Sequence, residues 1–195
     1  MPLIGAEGLT RDLREVGVVE GLGGLRFLLF ERIDRELARE IADGVRDVLR
    51  TPVNVADWTI DLPERGHDRT RDQYLARSLI RAMPASEPGV KTLGITDADL
   101  YAPDLNFVFG QAQLPGNRAV MSVARLRPEF DDEEPDRELL VERAVKEAVH
   151  EIGHTLGLRH CDDPRCVMHF SRTLADTDRK GRSLCERCGV TIASY

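Results

Sequence analysis

Lysine is nearly missing from this chain. Of its 27 basic residues only Lys91, Lys146 and Lys180 are lysines, and the 34 acids leave a formal charge of −7. That balance argues against non-specific nucleic-acid binding, which needs a basic footprint. Cysteine is absent from the first 160 residues. The N-terminus has no basic start followed by an apolar run, so no secretory signal is read there. No stretch approaches the length of a membrane span. There is no internal repeat and no low-complexity segment. These absences lead to the expectation of a soluble, cytoplasmic, monomeric protein with no membrane partner. With 195 residues, 42% of them hydrophobic, the chain can bury a core without disulfides.

Strand and helix patterns alternate from residue 25. "LRFLLF" (25–30) is a short continuous apolar run, as in a strand buried on both faces. Ile33, Leu37, Ile41, Val45 and Leu49 then recur at four-residue spacing, which predicts an amphipathic helix. "VNVADWTI" (53–60) reads as a second strand. Thr70 and Gln73 form a T-x-x-Q capping box ahead of an apolar stripe, Tyr74 to Met83, that stops at Pro84. "KTLGIT" (91–96) is a third strand, and a loop, "DADLYAPD", follows it. "LNFVFGQAQ" (105–113) and "RAVMSVARL" (118–126), joined by the turn signal "LPGN", predict a hairpin. The expected fold is therefore a mixed α/β sheet, mostly parallel through right-handed crossovers, with one antiparallel strand added by the hairpin. Residues 1–24, rich in glycine, read as a loose extension or an extra edge strand. The acidic "DDEEPD" (131–136) reads as a helix lead-in.

What the chain does have is a dense cluster of metal-binding side chains. "HEIGHTLGLRHCDDPRCVMHF" (150–170) holds four of the five histidines and two of the four cysteines. It is approached by "EPDRELLVERAVKEAV", whose Leu140, Val141, Ala144, Val145, Ala148 and Val149 keep helical period, with Pro135 suited to the first turn. His150 and His154 then lie one turn apart on one face, roughly 6 Å along the axis, and can converge on one ion. Glu151 projects about 100° round the helix and can stand beside the metal without binding it. Gly157 can take the left-handed conformation that ends a helix, so that His160 returns as the third ligand. Three histidines with an open fourth position suit a catalytic zinc, which lowers the pKa of a water to roughly 7. Glu151 would take that water's proton and pass it to the leaving amine. A bare HExxH arises by chance in many proteins; Gly157 and His160 at the required spacing make the zinc reading far stronger.

Cys161-x4-Cys166 and Cys185-x2-Cys188 form a second constellation, all within the last 35 residues. Two pairs across a linker suit a closed four-thiolate zinc site. Disulfides and an iron–sulfur cluster are the other readings. The first is disfavoured in a cytoplasmic chain and the second by the spacing.

The pattern HExxHxxGxxH with a following methionine, Met168, is the metzincin signature. With the added cysteines, it resembles the archaemetzincins. The similarity extends to "DLYAPDLNFVFGQAQ", "SVARLRPEF" and "DTDRKGRSLCERC", covering roughly residues 25 to 190. The spacer between Met168 and Cys185 is one residue shorter than the family pattern. The resemblance implies a metzincin-like zinc metallopeptidase that acts on peptides or proteins. It would carry two zinc ions: a catalytic zinc on His150, His154 and His160 with Glu151 as general base, and a structural zinc on Cys161, Cys166, Cys185 and Cys188. Met168 would be the Met-turn residue beneath the catalytic zinc.

The implied layout is an extension (1–24), a subdomain with the sheet and active-site helix (25–157), and a small C-terminal subdomain (158–195). Substrate would add as a strand along Phe107, Val108, Phe109 and Gly110. Some metzincins carry a tyrosine two residues after the Met-turn methionine; here Phe170 stands there. Tyr101 reads as an ordinary loop residue, His169 as a supporting or surface histidine, and His67 as an exposed loop residue. The rival reading is a zinc-bearing peptide-binding module with little or no turnover, which has no need of Glu151.

Overall fold

In the computed structural model, which describes residues 23–193, "LRFLLF" lies in strand β1 (Gly24–Phe30), buried on both faces along most of its length. Helix α1 (Arg35–Leu49) follows, with Asp34 as N-cap accepting from the Glu36 amide. Strands β2 (Val53–Ile60) and β5 (Val90–Thr96) flank β1, both parallel to it. Between them in sequence come β3 (His67–Asp68), β4 (Gln73–Leu75) and helix α2 (Ala76–Ala82). After β5 the chain forms β6 (Leu100–Tyr101), β7 (Gly110–Ala112) and β8 (Arg118–Ser122). The main sheet has the order β2-β1-β5-β8-β7, with β8 parallel to β5 and β7 antiparallel at the edge. The mixed sheet with one antiparallel edge strand is the one expected.

Four sequence expectations are corrected. The Thr70–Gln73 capping box does not form: α2 begins three residues later, at Ala76, with Leu75 as an N-cap that makes no side-chain bond. Gln73 is instead buried in β4, and its Nε2 donates to Asp99 Oδ2 at 2.7 Å. It thus belongs to a second sheet, β3-β4-β6, whose strands are too short to leave a two-residue period. "LNFVFGQAQ" is strand only at Gly110–Ala112. Residues 105–109 form a loop, held where the Val108 amide donates to Leu100 O and where Arg125 lies against the Phe107 ring while bonding Asp99 with two nitrogens. His67 is not an exposed loop residue: it is half-buried in β3 and stacks on Tyr74 at 4.2 Å. The second hairpin strand ends at Ser122, and Ala124–Leu126 continues as a 3-10 turn.

Helix α3 (Arg137–Thr155) is capped by Asp136, whose side chain accepts from the Leu139 amide; Pro135 lies just before the cap. The helix packs with α1 on one face of the main sheet. There Phe27, Leu29, Leu93, Ile95 and Met121 meet Leu37, Ile41, Val45, Val145, Val149 and Ile152. The opposite face, with Leu28, Phe30 and Val120, is covered by Leu79, Ile80, Met83 and Leu100. Alternate strand residues thus enter two cores, which is why β1 reads as an unbroken apolar run.

Gly157, at φ 87°, ends the helix turn. The remaining chain folds back over α3 and contains helices α4 (Leu174–Arg179) and α5 (Glu186–Ala193). It covers charges that a solvent face would leave free. Arg143 bonds Asp178 through two nitrogens, and Lys146 donates to the Thr177 and Asp178 carbonyls. Lys180, 0% exposed, pairs with Glu147, 3% exposed, at 2.9 Å. Among the described residues, no helix is long and apolar enough to cross a membrane. Residues 1–22 and the reading made of them lie outside the described residues.

Candidate metal centre

Helix α3 presents His150, Glu151 and His154 beneath edge strand β7. The Nδ1 of His150 lies 2.8 Å from Val167 O, and that of His154 lies 2.7 Å from Leu158 O. A carbonyl only accepts, so both Nδ1 atoms carry the ring proton. Both Nε2 atoms then offer lone pairs, and they face each other at 3.1 Å. Two lone pairs at that distance repel unless a cation lies between them. His160 completes the group, with its ligand nitrogen within 4.8 Å of the other two. Nitrogens about 2.0–2.1 Å from a tetrahedral zinc would be about 3.3 Å apart, so the donor set fits. Burial holds all three imidazoles below the ordinary histidine range, His150 most of all, with the Lys180 ammonium adding to it. Neutral imidazole is the ligand form of histidine.

Glu151 stands beside this group, 5% exposed, and its Oε2 has no hydrogen-bond partner. Burial, then the nearby Glu147 carboxylate, raises its pKa well above the ordinary carboxyl range, against the pull of Lys180. Met168 is fully buried under the helix, so close that a Cβ at Gly153 would fall 2.5 Å from its sulfur.

The four cysteines converge as well. Their Sγ atoms lie within 4.8 Å of one another, and all four thiols are free. Cys161 and Cys185 approach to 3.8 Å, too far for a disulfide but matching the edge of a tetrahedron with arms of about 2.3 Å, roughly 3.8 Å. Burial raises the pKa of Cys166 and Cys188. In Cys161 burial is outweighed by the Asp163 amide and the Arg187 guanidinium, which bring it to about 7. Crowded thiols of this kind are what a thiolate-bound cation stabilises.

A cavity of about 670 Å³ opens over the histidines. Phe107, Val108, Phe109 and Gly110 line it together with Glu151. Phe170 forms the opposite rim, its ring 4.7 Å from that of His160. Tyr101 does not line it; the residue lies in β6 beneath Arg71. His169 belongs to neither donor group among the described residues; its Nδ1 donates to Cys161 O, 2.9 Å away. Gln111 and Ala112, within "LNFVFGQAQ", line it too, and Leu114, Ser171, Arg172 and Glu147, which were not read from the sequence, complete this part of the wall. Only Glu147, one turn before Glu151 on the same helix, could have been found by spacing. The register of β7 matters too. Gln113 N bonds Arg118 O, and Ser122 N bonds Phe109 O, so the alternation of an antiparallel pair turns the backbone N–H and C=O of Gly110 and Ala112 away from β8, to the free edge.

This sheet, with an active-site helix below its antiparallel edge and two zinc-compatible donor groups, defines a zinc-dependent metallopeptidase. Residues 25–194 match Peptidase family M54. An archaemetzincin of Methanopyrus kandleri is 52% identical over 137 residues, 70% of this chain and 75% of the relative. The crystal structure of an archaemetzincin from the same organism superposes with a TM-score of 0.76 at 42% identity, covering 90% of this chain and 96% of that one. A zinc-dependent peptidase from Methanocorpusculum labreanum gives 0.78 at 33% identity, with 87% and 100% covered. The chain belongs to peptidase family M54, the archaemetzincins, and its substrates are peptides or proteins.

Proposed function

We propose that the chain hydrolyses peptide bonds with Glu151 as general base, and that it carries two zinc ions. His150, His154 and His160 would hold the catalytic ion, and Cys161, Cys166, Cys185 and Cys188 a structural one. The observation that carries this is the facing pair of Nε2 lone pairs, 3.1 Å apart, beside a buried carboxyl with a free oxygen. The catalytic zinc would acidify water to a pKa near 7 and polarise the scissile carbonyl. Glu151 takes the proton of the attacking water and hands it to the leaving amine; its raised proton affinity suits a base that must give the proton back. An extended substrate pairs with the outward N–H and C=O of Gly110 and Ala112, as a strand added to the sheet edge.

The division at Gly157 follows from the same reading: residues 25–157 supply floor and edge strand, and 158–195 supply the third histidine and the thiolate site. The chain acts as a monomer. Its charge of −7 opposes nucleic-acid binding, and four free thiols suit a cytoplasmic compartment.

The unpartnered Oε2 of Glu151 favours turnover over a binding module, because burying an unsatisfied carboxyl is costly and peptide binding does not require one. Glu151→Ala decides between them. It is expected to keep two zinc ions per chain by elemental analysis while losing cleavage of a peptide library by at least 10²–10⁴-fold. Undiminished zinc-dependent cleavage would remove Glu151 from the mechanism.

A further inference from the structure

We infer that Gly110 is a positioning residue for Glu151, because the side chain it lacks is the space in which the Glu151 carboxyl lies. The inference rests on the general-base reading above. A Cβ built on Gly110 would fall 2.6 Å from Glu151 Cγ, 2.6 Å from Oε1 and 2.7 Å from Cδ. Ordinary contacts between such atoms are roughly 3.5–4.0 Å, so a methyl there displaces the carboxyl by about 1 Å.

Backbone freedom does not explain this glycine. Gly24, Gly66, Gly89 and Gly157 have positive φ, and Gly110 does not. Glycine within a strand otherwise weakens it, and its presence often marks a close approach. Here the approach is made by a side chain from α3. Ala112, two residues on and on the same face, carries the methyl that Gly110 lacks. The carboxyl has little room to yield: Glu151 is 5% exposed, and a forced shift takes it off its rotamer. Gly110 thus has two roles at one residue. Its outward N–H and C=O face the edge where substrate adds, and its bare Cα holds the base at the height of that substrate. Strand register and proton acceptor are set together.

The test is a double-variant cycle of Gly110→Ala with Glu151→Ala, which removes Cγ, Cδ and both carboxyl oxygens. In the otherwise native chain, Gly110→Ala is expected to keep the native zinc content. It should lower kcat on a fluorogenic peptide library about 100-fold, the usual scale for a 1 Å misplacement, with KM changed less than about threefold. It should also lower Tm by several degrees. In the Glu151→Ala background the same change should leave Tm where that single variant has it. An unchanged kcat for Gly110→Ala would overturn the inference. So would an equal Tm loss in both backgrounds, which would place the effect in the strand rather than at Glu151. If Gly110→Ala alone does not fold, recovery of folding in the double variant supports the inference and continued failure overturns it. The Tm cycle reads the contact whether or not Glu151 is the base, so failure of the general-base reading is seen separately, in the cleavage activity of Glu151→Ala alone.

Discussion

His150 Nδ1 donates to the carbonyl of Val167, 2.8 Å away, and Val167 lies between Cys166 and Met168. The amide of Val167 in turn donates to Ser183 O, and the amide of Cys161 donates to Met168 O. His169 closes the loop with its bond to Cys161 O. The backbone that aims two histidines into one donor group is therefore the backbone that carries two cysteines of the other.

The two sites should not fail independently. Cys161→Ser and Cys166→Ser are expected to weaken zinc at the histidine site as well as at the thiolate site, by about 10–100-fold, the range for groups that orient a ligand. Cys188→Ser should disturb the histidine site less, because Cys188 lies on α5 and is not a chain neighbour of Val167 or His160. Zinc competition titrations on the three variants check this. A native histidine-site affinity in Cys161→Ser would mean that packing around Met168 alone positions His160.

The zinc ions should leave in order. His160 is solvent-exposed and opens on the cavity, whereas Cys161, Cys166 and Cys188 are buried. Mild chelation is expected to remove one of two ions with far-UV circular dichroism unchanged, and stronger chelation to remove the second with loss of structure. Unfolding on loss of the first ion, or a single ion per purified chain, would contradict this.

Lys180→Met should be destabilising out of proportion to its size. It strands the Glu147 carboxylate, 3% exposed, with only the Thr177 hydroxyl left donating to it among the described residues. Breaking a buried pair by removing one partner costs about 3–5 kcal/mol, while replacing both by apolar groups is often neutral. Urea unfolding of Lys180→Met and of the double variant Lys180→Met/Glu147→Leu measures both. A loss below about 1 kcal/mol in the single variant would show that the pair is not paid for by its surroundings in this way.

Gly153→Ala should reverse the usual helix rule. Alanine ordinarily gains about 1 kcal/mol over glycine inside a helix. Here the added methyl meets Met168 Sδ at 2.5 Å, and overpacking of that kind costs about 1–3 kcal/mol. A variant more stable than the native chain by thermal unfolding would indicate that Met168 can move aside.

Local periodicity made much of this protein legible. The 3.6-residue turn puts His150 and His154 on one face, whatever the rest of the chain does. A glycine at 157 permits the reversal that returns His160, and the unbroken apolar run at β1 announces a strand buried twice over. The regions that misled are those where partners far along the chain decide. Gln73 reads as a cap because Asp99, its bonded partner, is 26 residues away. Most of "LNFVFGQAQ" carries strand composition yet runs as a loop, because Arg125 and Leu100 hold it from outside the segment. Glu147 pairs with Lys180 and Arg143 with Asp178 only after the C-terminal chain has folded over α3. Gly110 has no pattern to betray it, since the reason for it is a carboxyl on another element. Backbone geometry repeats within a few residues and so can be read along the chain. Burial, charge pairing and clearance depend on what folding brings alongside, and tertiary structure alone decides them.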